Sequence, residues 1–432
     1  MIGGFSKSSN QCHKTVSISR ETGNMDNDGL LLQTLSTHPA PLRIALVTET
    51  YPPEINGVAM TLGRQVANLQ QRGHQIQLVR PRQGAHDIAM SSASLEEVLK
   101  PGVAIPRYAG LKMGLPAKSA LTRLWRLKRP DLVHIATEGP LGWSALAAAN
   151  KLRIPVSTDF HTNFHSYSQH YGIGWLRRPI LAYLRKFHNK SCVTLVPTEG
   201  IRRELQMHGY GNLEVVARGV DTELFSPAHR DASLRASWGV DEATQVVLYV
   251  GRIAPEKNLK LVFAAFAAMH KCNTHTHLVL VGDGPDRTTL QAAYPQAVFC
   301  GMRSGADLSR HYASAEVFLF PSLTETFGNV TIEAMASGLA VVAYDYAAAE
   351  ELIRHDENGV LTAYDDAEAF IAQAARLADD PALAQRMAQA ARHTAQKMRW
   401  DSIHDRFEQV LYAIVEKEER DDTTQPALAN TR

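Results

Sequence analysis

The sequence predicts an α/β protein built from two Rossmann-like domains, each a doubly wound parallel sheet, which face a cleft. Short β-branched runs alternate with helical patterns twice along the chain, over residues 41–222 and again over residues 226–398. A length of 432 residues also exceeds what one typical hydrophobic core accommodates. Ligands of such sheets bind beyond the carboxyl ends of the strands, so we expect both domains to present loops to one cleft.

The N-terminal domain follows a strand–loop–helix rhythm. Its apolar runs predict strands at Arg43–Thr48, Gln75–Val79, Leu132–Ala136, Val156–Phe160, Val193–Val196 and Leu213–Ala217. Apolar residues at helical spacing predict helices at Met60–Arg72 and Gly142–Leu152. Strand, loop, helix and strand in this order form the βαβ unit of a parallel sheet.

The C-terminal domain repeats the rhythm after a junction near Asp221–Pro227. Strands are predicted at Val246–Val250, Leu278–Val281, Ala297–Cys300, Val317–Phe320 and Ala340–Ala343. The amphipathic stretch 400–417 predicts a last helix, which either caps this domain or crosses back to the first. Residues 1–40 are polar and lack periodicity, which predicts a disordered tail.

Charge is distributed unevenly along the chain. The net charge is +1, but residues 41–220 carry +12 and the remainder carries −11. A basic half suggests an anionic partner, and both nucleic acid and an anionic membrane fit. Four scattered cysteines and the lack of an apolar leader predict reduced thiols in a cytoplasmic protein. Peripheral attachment to the inner face of the cytoplasmic membrane is left open.

Two groups of residues follow first strands. Gly57 lies in an Asn-Gly turn before a helix, where backbone N–H groups can approach an anion. Arg252 and Lys257 follow the first strand of the second domain and could clamp a diphosphate. Alternatively, Gly57 lies in a common turn without a ligand, and Arg252 and Lys257 are solvated surface charges. The chain has no G-x-G-x-x-G loop at Gly57 and no Walker lysine, which argues against dinucleotide and ATP sites.

Carboxylates and a histidine complete the candidate residues. Glu325 and Glu333 flank the start of a predicted helix in PSLTETFGNVTIEAMASG, where two acceptors beside free N–H groups suit a polyol. His161 ends a first-domain strand in Asp-Phe-His, although a lone histidine is more often structural. The histidines lack metal-binding spacing and no Asp-x-Asp motif occurs, so no metal site is predicted.

Taken together, these segments resemble the retaining GT-B glycosyltransferases of family 4. The second domain carries the resemblance in GRIAPEK, GDGP and PSLTETFGNVTIEAMASGLAVVA, and the first in TETYPPEINGVA, DFHTNF and ARGVDTELFSP. The match runs from about Arg43 to the end of the chain. It is most similar to GDP-mannose-dependent mannosyltransferases and to glycolipid synthases of the sulfoquinovosyl-diacylglycerol type. The resemblance implies transfer of a mannose- or glucose-type hexose from a nucleotide diphosphate sugar to an acceptor hydroxyl, without a metal or other cofactor.

The resemblance also implies roles for individual residues. His161, Arg252, Lys257 and Glu325 would be catalytic, His161 by contacting the donor sugar near its anomeric centre. Donor-binding roles would fall to Gly57, Arg252, Lys257, Met302, Glu325, Phe327, Gly328, Asn329 and Glu333. Among these, Glu325 and the amides after it would hold the sugar hydroxyls, Glu333 the ribose, and the backbone at Met302 the base. Ala347 and Ala348 replace a Gly-Gly pair of many relatives, which leaves the sugar's identity open.

Two basic segments of the sequence indicate the class of acceptor. Residues 119–129 (SALTRLWRLKR) and 175–190 (WLRRPILAYLRKFHNK) interleave cations with apolar side chains, which suits an anionic membrane surface. Ordinary amphipathic helices that pack on their own sheet are the alternative. We expect a lipid or glycolipid acceptor, with a soluble or polysaccharide acceptor and a sugar-nucleotide epimerase as alternative functions. Nucleic-acid binding is disfavoured, because no base-stacking platform or reading-head motif occurs.

Overall fold

The structure, a computed structural model, describes residues 40–54, 56–84, 86–104, 112–161 and 177–424. Residues 43–432 form one compact unit. The prediction of a disordered tail over residues 1–40 falls, except for Ala40, outside the described residues. Two parallel sheets confirm the predicted fold class. The domain boundaries 41–222 and 226–398 stay predictions.

The first sheet has seven parallel strands in the order β3-β2-β1-β6-β7-β8-β9. Its strands are β1 Arg43–Val47, β2 Gln75–Pro81, β3 Leu95–Lys100, β6 Leu132–Ile135, β7 Val156–Asp159, β8 Val193–Val196 and β9 Leu213–Val215. A separate antiparallel hairpin joins β4 Gly102–Ala104 and β5 Lys112–Gly114. The central strands are buried along nearly their whole length, as expected when helices cover both faces of a parallel sheet.

The second sheet has six parallel strands in the order β12-β11-β10-β13-β14-β15. They are β10 Gln245–Val250, β11 Thr276–Val281, β12 Val298–Gly301, β13 Val317–Phe320, β14 Ala340–Tyr344 and β15 Val360–Thr362. The predicted strands all form, with ends shifted by a few residues. The edge strands β3 and β15 were not predicted.

Helices connect the strands. In the first half of the chain they are Gly57–Gln71, Lys118–Leu127, Pro140–Lys151, Arg177–His188 and Glu199–Met207. In the second half they are Ala232–Ser237, Leu259–Cys272, Arg287–Ala293, Gly305–Ala313, Asn329–Ala336, Ala348–Leu352, Ala367–Asp379, Pro381–Ala395 and Trp400–Thr424. Residues 175 and 176, which begin the predicted basic segment 175–190, lie outside the described residues.

The last helix, Trp400–Thr424, contacts elements of the first sheet. Glu408 accepts from the guanidinium of Arg72 at 2.6 Å and lies 2.7 Å from Nε2 of His74. Phe407 is buried, and its ring lies 5.1 Å from the imidazole of His134. The sequence allowed this helix either to cap the second domain or to cross back to the first. These contacts correspond to the helix that crosses back.

Candidate active site

The two sheets bring helix N-termini together. Gly57 begins the helix after β1, and a Cβ placed on it would lie 3.6 Å from Nδ2 of Asn329. Asn329 is the first residue of the helix Asn329–Ala336, whose N-cap is Gly328 at a φ of 87°. A side chain at position 328 would be strained in that conformation, so glycine lets the loop turn into the helix. The convergence places the positive ends of two helices at one point, which favours an anion there.

The candidate diphosphate cations lie at the carboxyl end of β10. The Arg252 guanidinium lies 3.7 Å from Oε1 of the fully buried Glu256, and the carbonyl of Arg252 accepts from Tyr249 Oη at 2.9 Å. Lys257 ends a short 3₁₀ helix, Pro255–Lys257. Its ammonium forms an ion pair with Glu325 and lies 3.3 Å from Oγ of Ser322. Two predicted catalytic residues, 68 positions apart in sequence, are thus in direct contact.

Glu325 is held from several sides. Oγ of Ser322 donates to its carboxylate at 2.7 Å, and Oη of Tyr346 donates to its backbone carbonyl at 2.7 Å. A Cβ on Gly328 would lie 3.4 Å from Cγ of Glu325, so the loop folds back against this side chain. Phe327 is buried, and its carbonyl accepts from the backbone of Ala348 at 2.8 Å. The loop that carries Glu325 is therefore held by hydrogen bonds to its side chain and to its backbone.

Glu333 lies one turn inside the same helix and has a different environment. Oη of Tyr312 donates to its Oε2 at 3.1 Å. Burial raises the pKa of Glu333 to about 7, against the opposing effects of the Tyr312 hydroxyl and the positive charge of Arg64. Arg64 belongs to the helix that begins at Gly57, and its guanidinium lies over the ring of Trp400 at 5.4 Å. Glu333 thus titrates near neutral pH and senses a charge from the first domain.

His161 follows β7 by two residues, and its ring contacts side chains of the first domain. Its Nε2 lies 2.9 Å from Oδ2 of Asp159, and its Nδ1 lies 2.9 Å from the guanidinium of Arg218. Its backbone carbonyl faces the second domain instead and accepts from Oγ1 of Thr326 at 2.5 Å. Sequence analysis did not assign a role to Asp159 or Arg218, although both lie in the segments DFHTNF and ARGVDTELFSP that carry the resemblance.

Met302 lies further from this group. It follows β12, which is two strands away from β10, so the strand spacing puts it about 10 Å to the side of the cations. Its side chain is exposed.

The segment with the Ala-Ala replacement touches the first domain. Ala347 has a φ of 55°, a left-handed conformation that favours glycine, and it precedes the helix Ala348–Leu352. The Glu351 carboxylate accepts the backbone N–H groups of Glu199 at 2.6 Å and Gly200 at 3.3 Å. Ala347 therefore adopts a turn that ordinarily favours glycine, and the helix that follows it contacts the first domain.

Two negative results concern only the residues that the structure describes. Within them, no group of three or more His, Cys, Asp or Glu side chains is arranged to hold a metal ion. None of the helices in these ranges combines the length and the hydrophobicity needed to cross a membrane.

Comparison with known proteins identifies the family. The model for Glycosyltransferase Family 4 matches residues 55–224, and the model for glycosyl transferases group 1 matches residues 244–380. The GDP-mannose-dependent alpha-mannosyltransferase of Corynebacterium glutamicum is 32% identical over 366 residues, covering 84% of this chain and 87% of the relative. The alpha-monoglucosyldiacylglycerol synthase of Acholeplasma laidlawii is 27% identical over 340 residues, covering 74% and 84%. The sucrose-phosphate synthase structure from Thermosynechococcus elongatus superposes with a TM-score of 0.71 at 20% identity, covering 87% of this chain and all of the other. The chain therefore belongs to glycosyltransferase family 4 and is a glycosyltransferase with the GT-B fold.

Proposed function

We propose that this glycosyltransferase moves a mannose- or glucose-type hexose from a GDP- or UDP-linked donor to a hydroxyl of a lipid or glycolipid acceptor, with retention of configuration and without a metal. The observation that carries the proposal is the meeting of two helix N-termini, at Gly57 and Asn329, beside the cations and Glu325. An anion and a polyol on the same molecule satisfy these groups together. A nucleotide diphosphate sugar has that composition.

The proposed mechanism follows from where charge develops. As the bond to the leaving group breaks, the sugar becomes positive and the diphosphate becomes more negative. Arg252, Lys257 and the two helix N-termini stabilise the diphosphate, which is the largest electrostatic contribution that the site offers. The Lys257–Glu325 ion pair lies at the boundary between the phosphate and the sugar. The acceptor hydroxyl attacks from the face that the diphosphate leaves, and the departing phosphate takes its proton.

The donor is tested by thermal shift with a panel of nucleotide sugars. GDP-mannose enters first, because a relative is named for it. A donor present at 100 times its Kd stabilises the fold by about 2.7 kcal/mol, whereas a nucleotide sugar that does not bind leaves the Tm unchanged. Transfer must also release free nucleotide diphosphate. An epimerase would release little, and stabilisation by no member of the panel would contradict the proposal.

The proposed lipid acceptor is supported by the arrangement of the basic helices. Lys118–Leu127 buries Leu121 and Trp125 on its own domain and exposes Arg123 and Arg126. The helix Arg177–His188 likewise buries apolar residues and exposes basic ones. Most apolar side chains pack as in ordinary amphipathic helices, and the surface that reaches solvent is mainly basic, with Leu127 and Tyr183 also exposed. Attachment to a membrane would therefore be mainly electrostatic, at a leaflet rich in anionic lipid.

We expect the protein to sediment with phosphatidylglycerol-containing vesicles at low salt and to be released as ionic strength rises, because screening weakens exposed charges. At about 1 kcal/mol per basic residue, losing two cations lowers the partition coefficient about 30-fold, and Arg123→Glu/Arg126→Glu should do at least this. The double variant Arg386→Glu/Lys397→Glu, which reverses two exposed charges of the second domain, is the matched control. Equal binding to neutral and anionic vesicles would contradict membrane attachment through these helices.

A further inference from the structure

A buried polar cluster surrounds His161. Asp159, His161 and Arg218 are each less than a tenth exposed, and so is His134, whose Nε2 lies 3.4 Å from the same Asp159 oxygen. Burying an arginine, a carboxylate and two imidazoles in one place is costly unless their charges and hydrogen bonds are matched. Such a cluster inside the acceptor-side domain calls for a functional explanation.

The hydrogen-bond chemistry of the cluster fixes the state of the imidazole. A guanidinium has only donors, so the group that faces Arg218 at 2.9 Å must be an acceptor, which makes Nδ1 of His161 unprotonated. A neutral imidazole then carries its proton on Nε2, and this atom lies 2.9 Å from Oδ2 of Asp159, at ion-pair distance although without hydrogen-bond geometry. The negative charge of Asp159 favours a proton on the nitrogen that faces it, so both neighbours favour the same tautomer.

We propose that Arg218 and Asp159 are positioning residues, which hold His161 as the neutral Nε2–H tautomer and so prevent its ring from exchanging protons with the substrates. The ring anchors the end of β7, and this fixes the backbone at the point where the first domain meets Thr326. The inference rests on the proposed function and on the role that the resemblance implies for His161, beside the donor sugar.

The charges around His161 agree with a neutral ring. Burial lowers the pKa of His161, and the attraction of Asp159 opposes this effect. Arg218 lowers the pKa further, and the carboxylate of Glu138 raises it. Burial raises the pKa of Asp159, but His134 and His161 together bring it well below its usual range, so Asp159 is ionised beside the neutral ring of His161. Removing the Arg218 charge should raise the pKa of His161 and leave Nδ1 without its donor.

The position of Arg218 links this cluster to the junction of the domains. The next residue is Gly219, where a Cβ would lie 2.8 Å from the backbone of Trp400. Val220 forms a bridge with Arg399, so the chain passes between the halves at this point. A side chain anchored there holds His161 in register with the second domain as well as with its own strand.

The direct test is ¹H–¹⁵N spectroscopy of ¹⁵N-histidine-labelled protein, with the His161 signals assigned by their absence in His161→Gln. We expect the neutral Nε2–H pattern to persist as pH falls below about 6.5, where a free imidazole becomes charged. In Arg218→Met the signals should change to a mixture of tautomers or to the imidazolium as pH falls. Arg218→Lys, which keeps the charge and one donor, should restore the pattern in part. A wild-type Nδ1–H tautomer or imidazolium at pH 7 would overturn the inference without any variant.

Kinetic measurements distinguish a positioning role of Arg218 from a role in stability alone. Misplacing a contact near the reacting atoms costs about 10- to 100-fold, so Arg218→Met should lower kcat/KM by that factor and leave the Kd for nucleotide diphosphate unchanged. Arg235→Met removes an equally buried arginine of the second domain that donates to the Ser314 carbonyl. It should lower Tm without altering the His161 signals. Unchanged signals and kinetics in Arg218→Met would refute the positioning role. If the tautomer is as inferred but His161→Gln transfers sugar normally, the proposed place of His161 beside the donor fails instead.

Discussion

Replacing either Arg252 or Lys257 by alanine is expected to lower kcat/KM for sugar transfer by about 100-fold or more, the usual scale for losing one charge partner of a transition state. Both cations lie at the end of β10, where two helix N-termini already favour an anion. Their ground-state partners are carboxylates, Glu256 for Arg252 and Glu325 for Lys257. The diphosphate gains negative charge during the reaction, so it competes best with these carboxylates for the two cations in the transition state.

The matched control for the cation variants is Lys260→Ala. Lys260 is an exposed lysine three residues after Lys257, at the start of the next helix. Its removal changes the net charge equally and should leave kcat/KM within about twofold, since exposed charges are screened by solvent. Steady-state assays of released nucleotide diphosphate measure all three variants. Near wild-type kcat/KM in both Arg252→Ala and Lys257→Ala would disprove the diphosphate assignment.

Much of the fold could be predicted because the central strands of a parallel sheet have a strong local signature. β13, Val317–Phe320, is apolar throughout and fully buried, so its sequence alone indicates a strand covered on both faces. β3, Leu95–Lys100, contains two glutamates and a lysine and is mostly half-exposed at the edge of the sheet. Its pattern is that of a polar loop until a neighbouring strand pairs with it. The short β15 was missed because three residues carry too little periodicity.

The candidate site was predictable in position but not in its contacts. Glycines, cations and glutamates after strands must meet at the carboxyl edge of a parallel sheet, and this places Gly57, Lys257 and Glu325 in one region. The sequence does not show that Lys257 and Glu325 form an ion pair, because side chains far apart in the chain are brought together only by strand order. The orientation of His161 was likewise hidden. Its ring is set by Arg218, 57 residues away, whereas periodicity within β7 ends before it.

Substitutions of Glu325 and Glu333 are expected to have large and different effects on nucleotide binding and turnover. Glu333→Gln is expected to weaken binding of both the nucleotide diphosphate and the intact donor, because its carboxylate would accept from the ribose hydroxyls that both contain. Glu325→Gln should lower turnover without weakening nucleotide diphosphate binding, because its contacts with the donor form only when a sugar is present and the loss of its charge frees Lys257 for the diphosphate. Hydrogen bonds to a charged group are worth about 1.5–3 kcal/mol, or about 10- to 150-fold in Kd, which isothermal calorimetry resolves.

The pH dependence gives the same prediction a second readout. Since the pKa of Glu333 is raised to about 7, the carboxylate is depleted as pH falls through that value, and the neutral acid accepts hydrogen bonds less strongly. Wild-type affinity for nucleotide diphosphate should therefore rise between about pH 6 and pH 8 more steeply than that of Glu333→Gln, in which the ligand's terminal phosphate still titrates but residue 333 does not. Glu325→Gln is the control and should keep the wild-type slope. The opposite pattern, with Glu325→Gln weakening the nucleotide and Glu333→Gln sparing it, would exchange the two roles. Equal losses in both variants together with a lowered Tm would show instead that the carboxylates only support the helix Asn329–Ala336.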